Sequence, residues 1–146
     1  MASKNLSSGY AGDINPAEAW TLLGSERTAR FVDVRTQAEW NFVGTPDLSG
    51  TGRQVHFVEW QDFPAGTPDP NFVARASAAL GPDKNAPVLF LCRSGGRSRS
   101  AAIAMTAAGY ARAYNIAEGF EGDLDHDRHR GSKNGWKAAG LPWTQT

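Results

Sequence analysis

One cysteine, Cys92, begins a short segment of glycine, serine and arginine. Residues 92–98 read Cys-Arg-Ser-Gly-Gly-Arg-Ser and contain no acidic residue. A lone cysteine cannot form an internal disulfide, and it is most often an inert buried side chain. Neighbouring positive charges, however, favour the thiolate, which is the nucleophilic form of cysteine. We therefore predict that Cys92 is a nucleophile that works as a thiolate.

The residues after Cys92 have the composition of an anion-binding loop. Two adjacent glycines permit positive φ angles and a close approach of backbone N–H groups to a ligand, and a following helix would add its N-terminus. We expect the charge of Arg97 to lie near both the sulfur and an incoming anion, and Arg93 to face the mouth of the pocket. The predicted substrate-binding residues are Arg93, Ser94, Gly95, Gly96, Arg97 and Ser98.

Helix and strand signals alternate along the chain on either side of this loop. N-cap residues predict helices at 15–24, from Thr36 and at 69–80, and helical composition predicts another at 97–108. Apolar and β-branched runs predict strands at 31–34, 55–60, 88–91 and 112–116. Strands separated by helices imply an α/β fold with a parallel β-sheet flanked by helices on both faces. Asp33 and Cys92 would lie at the carboxyl ends of strands, where such sheets bind ligands.

Length, composition and charge limit the class of protein. A chain of 146 residues with 40% hydrophobic residues suits a single globular domain. Fifteen Lys and Arg residues balance fifteen Asp and Glu residues, whereas a nucleic-acid or membrane-surface partner would favour an excess of basic residues. No apolar run suggests a membrane span or a signal peptide. We expect a cytoplasmic protein that binds neither nucleic acid nor membrane and uses no cofactor or metal.

The order of three motifs resembles a single-domain rhodanese, a sulfurtransferase. The motifs are Ile14-Asn15-Pro16-Ala17-Glu18-Ala19, then Asp33-Val34-Arg35 with Glu39-Trp40, then residues 92–98. The resemblance extends over residues 14–143, and the Cys92 loop is its most specific part. It implies the family's parallel α/β fold, with an N-terminal extension at 1–13 and the rhodanese-like domain at 14–119. An irregular C-terminal extension at 120–146 would pack on that domain, held by Trp136 and Trp143.

The resemblance also implies a reaction. Cys92 would take a sulfane sulfur from a small anionic donor such as thiosulfate, become a persulfide, and pass the sulfur to cyanide or to a small-molecule or protein thiol. The backbone of residues 93–97 would hold the persulfide, while Asp33 and Arg35 would support the loop. One segment departs from the family: residues 44–52 replace the usual Gly-His-Ile-Pro-Gly-Ala, so the family's usual histidine is absent.

Other interpretations of the same residues remain open. A cysteine-dependent phosphatase also begins its loop with cysteine, but that family has arginine six positions later, where this chain has Ser98. A persulfide carrier or binding module without turnover would retain Cys92 as well. His126 and His129 follow three acidic residues, which leaves a metal cluster open, although a solvated charged loop is the preferred interpretation.

Overall fold

The computed structural model describes residues 9–145 and has a five-stranded parallel sheet at its centre. The elements are, in chain order, β1 (Gly12–Ile14), α1 (Pro16–Ser25), β2 (Arg30–Asp33), α2 (Gln37–Phe42), β3 (Thr45–Pro46), a 3-10 helix (Ser49–Thr51), β4 (Val55–Phe57), α3 (Phe72–Leu80), β5 (Val88–Leu91), α4 (Gly96–Ala107), β6 (Ala113–Ile116) and β7 (Trp143–Thr144). The strand order in the large sheet is β1-β6-β5-β2-β4. The predicted parallel α/β fold is confirmed, and β5, which leads into Cys92, is the central strand.

Helices pack on both faces of this sheet and form two cores. On one face, α3 and α4 contribute Phe72 and Met105. On the other face, α1 contributes Leu23, and the C-terminal segment contributes Trp136. Because successive side chains of a strand point to opposite faces, β5 supplies apolar residues to both cores and is buried along its whole length. This double burial fixes the position of Cys92 at the carboxyl end of the strand.

Capping boxes start the first two helices, as predicted. The Asn15 side chain accepts from the N–H of Glu18, and the Glu18 carboxylate accepts from the N–H of Asn15. Thr36 and Glu39 form the same reciprocal pair at α2. Each box satisfies backbone N–H groups that a helix N-terminus leaves without partners. The second box also fixes the orientation of the Glu39 carboxylate, which belongs to the site.

The sheet extends further toward the N-terminus than predicted, and β4 is shorter than predicted. β1 was not predicted because Gly12 and Asp13 are poor strand formers. The segment forms an edge strand because it pairs with β6. The prediction of a strand at 55–60 is wrong beyond Phe57. The N–H groups of Val58 and Trp60 still donate to the carbonyls of the last residue of β2 and of the residue after it. Residues 1–8 of the predicted N-terminal extension lie outside the described residues.

The segment that departs from the rhodanese pattern anchors the C-terminal part of the chain. β3 pairs antiparallel with β7, with Thr45 opposite Thr144. Gly44, at φ 110°, allows this approach, because a Cβ there would lie 2.7 Å from the Thr144 carbonyl oxygen. Further along, Trp136 is fully buried and makes an edge contact with Phe31, at 5.5 Å between ring centroids. The C-terminal segment is thus attached at two places.

Candidate functional site

Cys92 directly follows the central strand and lies at the start of the loop that leads into α4. Its side chain is only 1% exposed. The sulfur accepts a hydrogen bond from the backbone N–H of Gly95 at 3.1 Å and lies 3.2 Å from the hydroxyl oxygen of Ser98. The loop therefore curls around the sulfur, and Ser98, predicted to bind substrate, contacts the cysteine itself.

The loop leaves the first turn of α4 open to an anion. Gly95 is the N-cap residue with φ 113°, and no side chain caps the helix. Gly96 does not have the positive φ that the sequence suggested; instead it begins α4, and a Cβ there would meet nothing within 4 Å. Because helix N-termini carry unsatisfied N–H groups and a partial positive charge, this end of α4 suits a negatively charged ligand.

Arg97 makes an ion pair with Glu39 that the sequence did not predict. Its two terminal nitrogens contact the two carboxylate oxygens at 2.7 and 2.9 Å, and the side chains are 19% and 20% exposed. Burial alone would lower the pKa of Arg97, but the charge of Glu39 and, less strongly, those of Cys92 and Asp33 raise it. The charge of Arg97 thus interacts with the cysteine, and Glu39 partly neutralises it.

The Glu39–Arg97 pair predicts an acid-dependent loss of stability. Burial alone would raise the pKa of Glu39, but hydrogen bonds and charge from Arg97, together with Thr36, lower it from 4.5 to about 2. A lowered carboxylate pKa stabilises the fold above pH 4.5, and that contribution disappears as the pH falls toward 2. We expect Glu39→Gln to lose on the order of 2 kcal/mol of unfolding free energy at pH 7 and less at pH 3.

Chemical denaturation of both proteins across this pH range measures the difference. Glu26→Gln is the matched control, because Glu26 pairs with Arg112 at 2.7 Å but both side chains are more exposed, at 34% and 31%. Solvent weakens an exposed ion pair, so the control should lose less. A Glu39→Gln deficit that stays constant from pH 7 to pH 3 contradicts the prediction.

Asp33 and Arg35 form a buried ion pair beside the loop. Both side chains are fully buried; the closest contact is 2.7 Å, and a second Arg35 nitrogen also bonds to Asp33. Arg35 also donates to the carbonyl of Gly44 at 2.8 Å and lies over the ring of Phe120 at 4.3 Å. The pair therefore connects the end of β2 to the β3 segment and to the C-terminal segment.

Residues 119–122 form a clamp that holds the backbone of the cysteine loop through hydrogen bonds. The N–H of Phe120 donates to the carbonyl of Cys92 at 2.8 Å, and those of Glu121 and Gly122 donate to the carbonyl of Arg93 at 3.0 and 3.2 Å. Gly119, at φ 66°, makes this approach possible, because a Cβ there would lie 2.4 Å from the carbonyl oxygen of Arg93. The sequence did not reveal this clamp.

A chain of polar side chains leads from Cys92 to the edge of the sheet. Ser98 lies 2.5 Å from Oδ1 of Asn115, whose Nδ2 donates to Asp13 at 3.0 Å. The Tyr10 hydroxyl donates to the same oxygen of Asp13 at 2.8 Å. Asn115 is a buried polar residue in a central strand, which was the one sequence signal that could have identified it.

A cleft of about 880 Å³ opens beside the loop. Arg93 and Arg97 form one side of it, and the C-terminal segment forms another with Arg128 and Arg130. Arg93 is exposed at this cleft. The residues that line the cleft are Thr36, Ala38, Glu39, Val43, Gln61, Asp62, Phe63, Pro64, Gly66, Arg93, Arg97, Glu121, Leu124, Arg128, His129 and Arg130.

Comparison with known proteins assigns the family. The family model described as STR4 middle domain matches residues 12–146. The chain belongs to this family. The curated relatives include an uncharacterized protein of Rickettsia conorii, 38% identical over 134 residues, which cover 90% of this chain and 95% of that protein. Rhodanese-like domain-containing protein 4, chloroplastic, of Arabidopsis thaliana is 27% identical over 127 residues, which cover 87% of this chain and 24% of that protein.

Solved structures show the same architecture. The crystal structure of Rv0390 from M. tuberculosis has a TM-score of 0.85 and 51% sequence identity, and the match covers 94% of this chain and 99% of that chain. The rhodanese-like domain of the Anabaena sp. Alr3790 protein has a TM-score of 0.60 at 17% sequence identity, and the match covers 92% of this chain and 79% of that chain. The resemblance to rhodanese-like domains that the motifs suggested is confirmed, and the chain has a rhodanese-like fold.

The described residues contain neither a cluster of metal ligands nor a membrane-spanning helix. Within residues 9–145, no group of three or more His, Cys, Asp or Glu side chains is arranged to hold a metal ion. His126 instead lies 3.3 Å from Asp127 on the surface. Over the same range, no helix has the length and apolar character needed to cross a membrane.

Proposed function

We propose that this rhodanese-like domain is a sulfurtransferase in which Cys92 carries the transferred sulfur as a persulfide. The observation that supports this proposal is the position of the Cys92 sulfur, 3.1 Å from the Gly95 N–H, at the uncapped N-terminus of α4. Preorganised N–H donors stabilise negative charge that develops next to them. A persulfide carries its negative charge on the outer sulfur, which would extend from Cys92 into this loop.

The proposed reaction needs no external oxidant or reductant. The Cys92 thiolate attacks the outer sulfur of thiosulfate, a new S–S bond forms, the S–S bond of thiosulfate breaks, and sulfite leaves with the bonding electron pair. In the second step cyanide or a thiolate attacks the outer sulfur of the persulfide. That step releases thiocyanate or a new persulfide and restores the Cys92 thiolate. Charge and sulfur atoms balance in both steps.

The arginines beside the loop suit the first step. Thiosulfate is a dianion, and Arg93 is exposed and lines the cleft. Arg97 adds a second positive charge near the sulfur, reduced by Glu39. We propose that Arg93 attracts the donor and that Arg97 with the N–H groups of α4 orients it. Because exposed charges are screened by salt, donor binding should weaken as ionic strength rises.

The cleft suits an acceptor larger than cyanide. A volume of about 880 Å³ lies in the range of small-molecule sites. It combines exposed apolar side chains, Phe63 and Leu124, with the guanidinium groups of Arg93 and Arg128. We propose an organic thiol with a carboxylate or another anionic group as the acceptor. A cysteine without a disulfide partner also suits a reducing compartment such as the cytoplasm.

This acceptor proposal predicts a charge-selective effect of Arg128→Ala. We expect the KM for 3-mercaptopropionate, an anionic thiol, to rise about 3- to 10-fold, because a contact with the exposed Arg128 side chain contributes about 1 kcal/mol. The KM for neutral 2-mercaptoethanol should change little. Arg130→Ala is the comparison variant, because Arg130 lines the same cleft but its guanidinium already donates to the carbonyl of Gly122 at 2.7 Å. Equal KM changes for the two thiols contradict the assignment of Arg128.

A direct test of the function compares two substrates. With thiosulfate and cyanide, the domain should form thiocyanate, and with an aryl phosphate it should show no hydrolysis above that of Cys92→Ser. Cys92-dependent phosphate release without thiocyanate would replace the proposal with a phosphatase. Loading of one sulfur without discharge to cyanide or any thiol would instead make the domain a carrier.

A further inference from the structure

We propose that Asp13 and Asn115 are positioning residues that keep the Ser98 hydroxyl hydrogen away from the Cys92 sulfur and thereby favour the persulfide over the free thiolate. The first half of this inference concerns hydrogen-bond direction and stands on the geometry alone. The second half, which concerns the persulfide, rests on the proposed function.

Ser98 has one hydroxyl hydrogen and two neighbours that could accept it. Its oxygen lies 3.2 Å from the Cys92 sulfur and 2.5 Å from Oδ1 of Asn115. A hydroxyl donates one hydrogen, so it cannot serve both acceptors fully at the same time. The shorter contact, to Asn115, needs the hydrogen more, since two oxygen lone pairs at that distance would otherwise repel each other. When Ser98 donates to Asn115, it presents a lone pair to the sulfur.

Asp13 determines which side of the Asn115 amide faces Ser98. The Nδ2 group donates to Oδ1 of Asp13 at 3.0 Å. A flipped amide would bring two oxygen acceptors together at that position, so the carboxylate holds Oδ1 toward Ser98. The Tyr10 hydroxyl donates to the same oxygen of Asp13 at 2.8 Å. Burial and the Asp13 carboxylate both raise the pKa of Tyr10, which keeps its hydroxyl a donor.

The direction of the hydrogen bonds from Asn115 to Ser98 affects the thiol, thiolate and persulfide forms of Cys92 differently. A thiol can donate its hydrogen to the Ser98 lone pair, and a persulfide carries its charge on the outer sulfur, away from Ser98. A thiolate places the full charge on the sulfur beside that lone pair. The thiolate therefore gains a bond from Ser98 only if Asn115 loses one. These hydrogen bonds consequently disfavour the thiolate relative to both the thiol and the persulfide.

Charged groups from several elements face this region and must be separated from the effect. Arg97, paired with Glu39, and the buried Asp33 with Arg35 lie on the side of α2 and β2. On the other side, Asp13 and Tyr10 precede α1, and Arg99 of α4 acts on Tyr10. Arg93 lies at the cleft. Of these groups, only Asp13 is changed in the test.

Asp13→Ala and Asp13→Asn separate orientation from charge. Asp13 is an exposed residue of an edge strand, so both variants should fold. Both remove the negative charge, but only asparagine keeps an oxygen that can accept from Asn115. In Asp13→Ala the amide is free to turn, donate to Ser98 and let the hydroxyl donate to the thiolate. A hydrogen bond to a charged group is about twice as strong as one between neutral groups.

The first measurement is the rate of Cys92 alkylation by iodoacetamide from pH 5 to pH 9. We expect Asp13→Ala to react about 3- to 10-fold faster than wild type below the midpoint of the profile, with the midpoint moved to lower pH. Asp13→Asn should stay close to wild type. In a Ser98→Ala background, Asp13→Ala should have no effect, because the hydroxyl that transmits it is gone.

Two alkylation results overturn the inference. If Asp13→Asn reacts as fast as Asp13→Ala, the lost charge explains the change and the amide orientation does not. If Asp13→Ala accelerates alkylation equally with and without Ser98, the effect does not pass through the hydroxyl. These results test the hydrogen-bond direction whether or not the protein carries sulfur.

The second measurement is the loading equilibrium with thiosulfate and added sulfite, followed by intact mass. Above the midpoint of the alkylation profile, where the unloaded protein is mainly thiolate, a better stabilised thiolate should lower the loaded fraction. Asp13→Ala should there shift the equilibrium toward the unloaded protein by about the factor that its alkylation rate shows below the midpoint. If the wild type loads sulfur and Asp13→Ala has the same loading equilibrium, the persulfide half of the inference alone is overturned. A wild type that never loads contradicts the proposed function and, with it, this half.

Discussion

Gly119→Ala should lower the unfolding free energy by at least about 3 kcal/mol and should also slow sulfur transfer. An alanine at φ 66° pays roughly 1–2 kcal/mol for the left-handed backbone conformation. Its Cβ would in addition lie 2.4 Å from the Arg93 carbonyl oxygen and 2.6 Å from that of Cys92, so the clamp or the loop must move. The displaced atoms belong to the residues that hold the loop around the Cys92 sulfur. The unfolding free energy and the rate of sulfur transfer should therefore fall together.

Gly140→Ala is the matched control for backbone strain. Gly140 has a similar φ of 77°, but a Cβ there would meet nothing within 4 Å. This variant should lose only the strain cost and keep its sulfur-transfer rate. Urea denaturation and a thiocyanate assay on both variants make the comparison. Equal losses for the two glycines would show that residues 119–122 do not clamp the loop.

Cys92→Ser should reduce thiocyanate formation to the uncatalysed background. The serine hydroxyl can still accept from the Gly95 N–H, so the loop should keep its conformation, but it cannot form an S–S bond. Because the two groups are of similar size, the melting temperature should change little. The rate of thiocyanate formation, together with the melting temperature, checks this expectation. Turnover by a folded Cys92→Ser protein would mean that the sulfur does not pass through this residue.

The sequence was sufficient to predict four of the five strands of the large sheet and the location of the cysteine, because these depend on local signals. β5 is a continuous apolar run buried on both faces, and the glycines that follow mark a strand-to-helix turn. Capping boxes at Asn15 and Thr36 located two helix starts for the same reason. Each signal lies within a few residues of the element that it specifies.

The contacts that complete the site could not be predicted, because they join residues distant in sequence. Glu39 meets Arg97 across 58 positions, and Asp13 meets Asn115 across 102. The strand order that places β6 and β2 beside β5, and β1 beside β6, cannot be read from a single sequence. Gly119 illustrates the same limit: its positive φ follows from where the C-terminal segment returns to the loop, and no local pattern encodes that return.

The most direct test of the sulfurtransferase account is the intact mass of the protein after incubation with thiosulfate and desalting. The account predicts that the wild type gains the mass of one sulfur atom, that cyanide removes it, and that Cys92→Ser gains nothing. An unchanged wild-type mass after incubation with thiosulfate and with other sulfane donors would contradict the account.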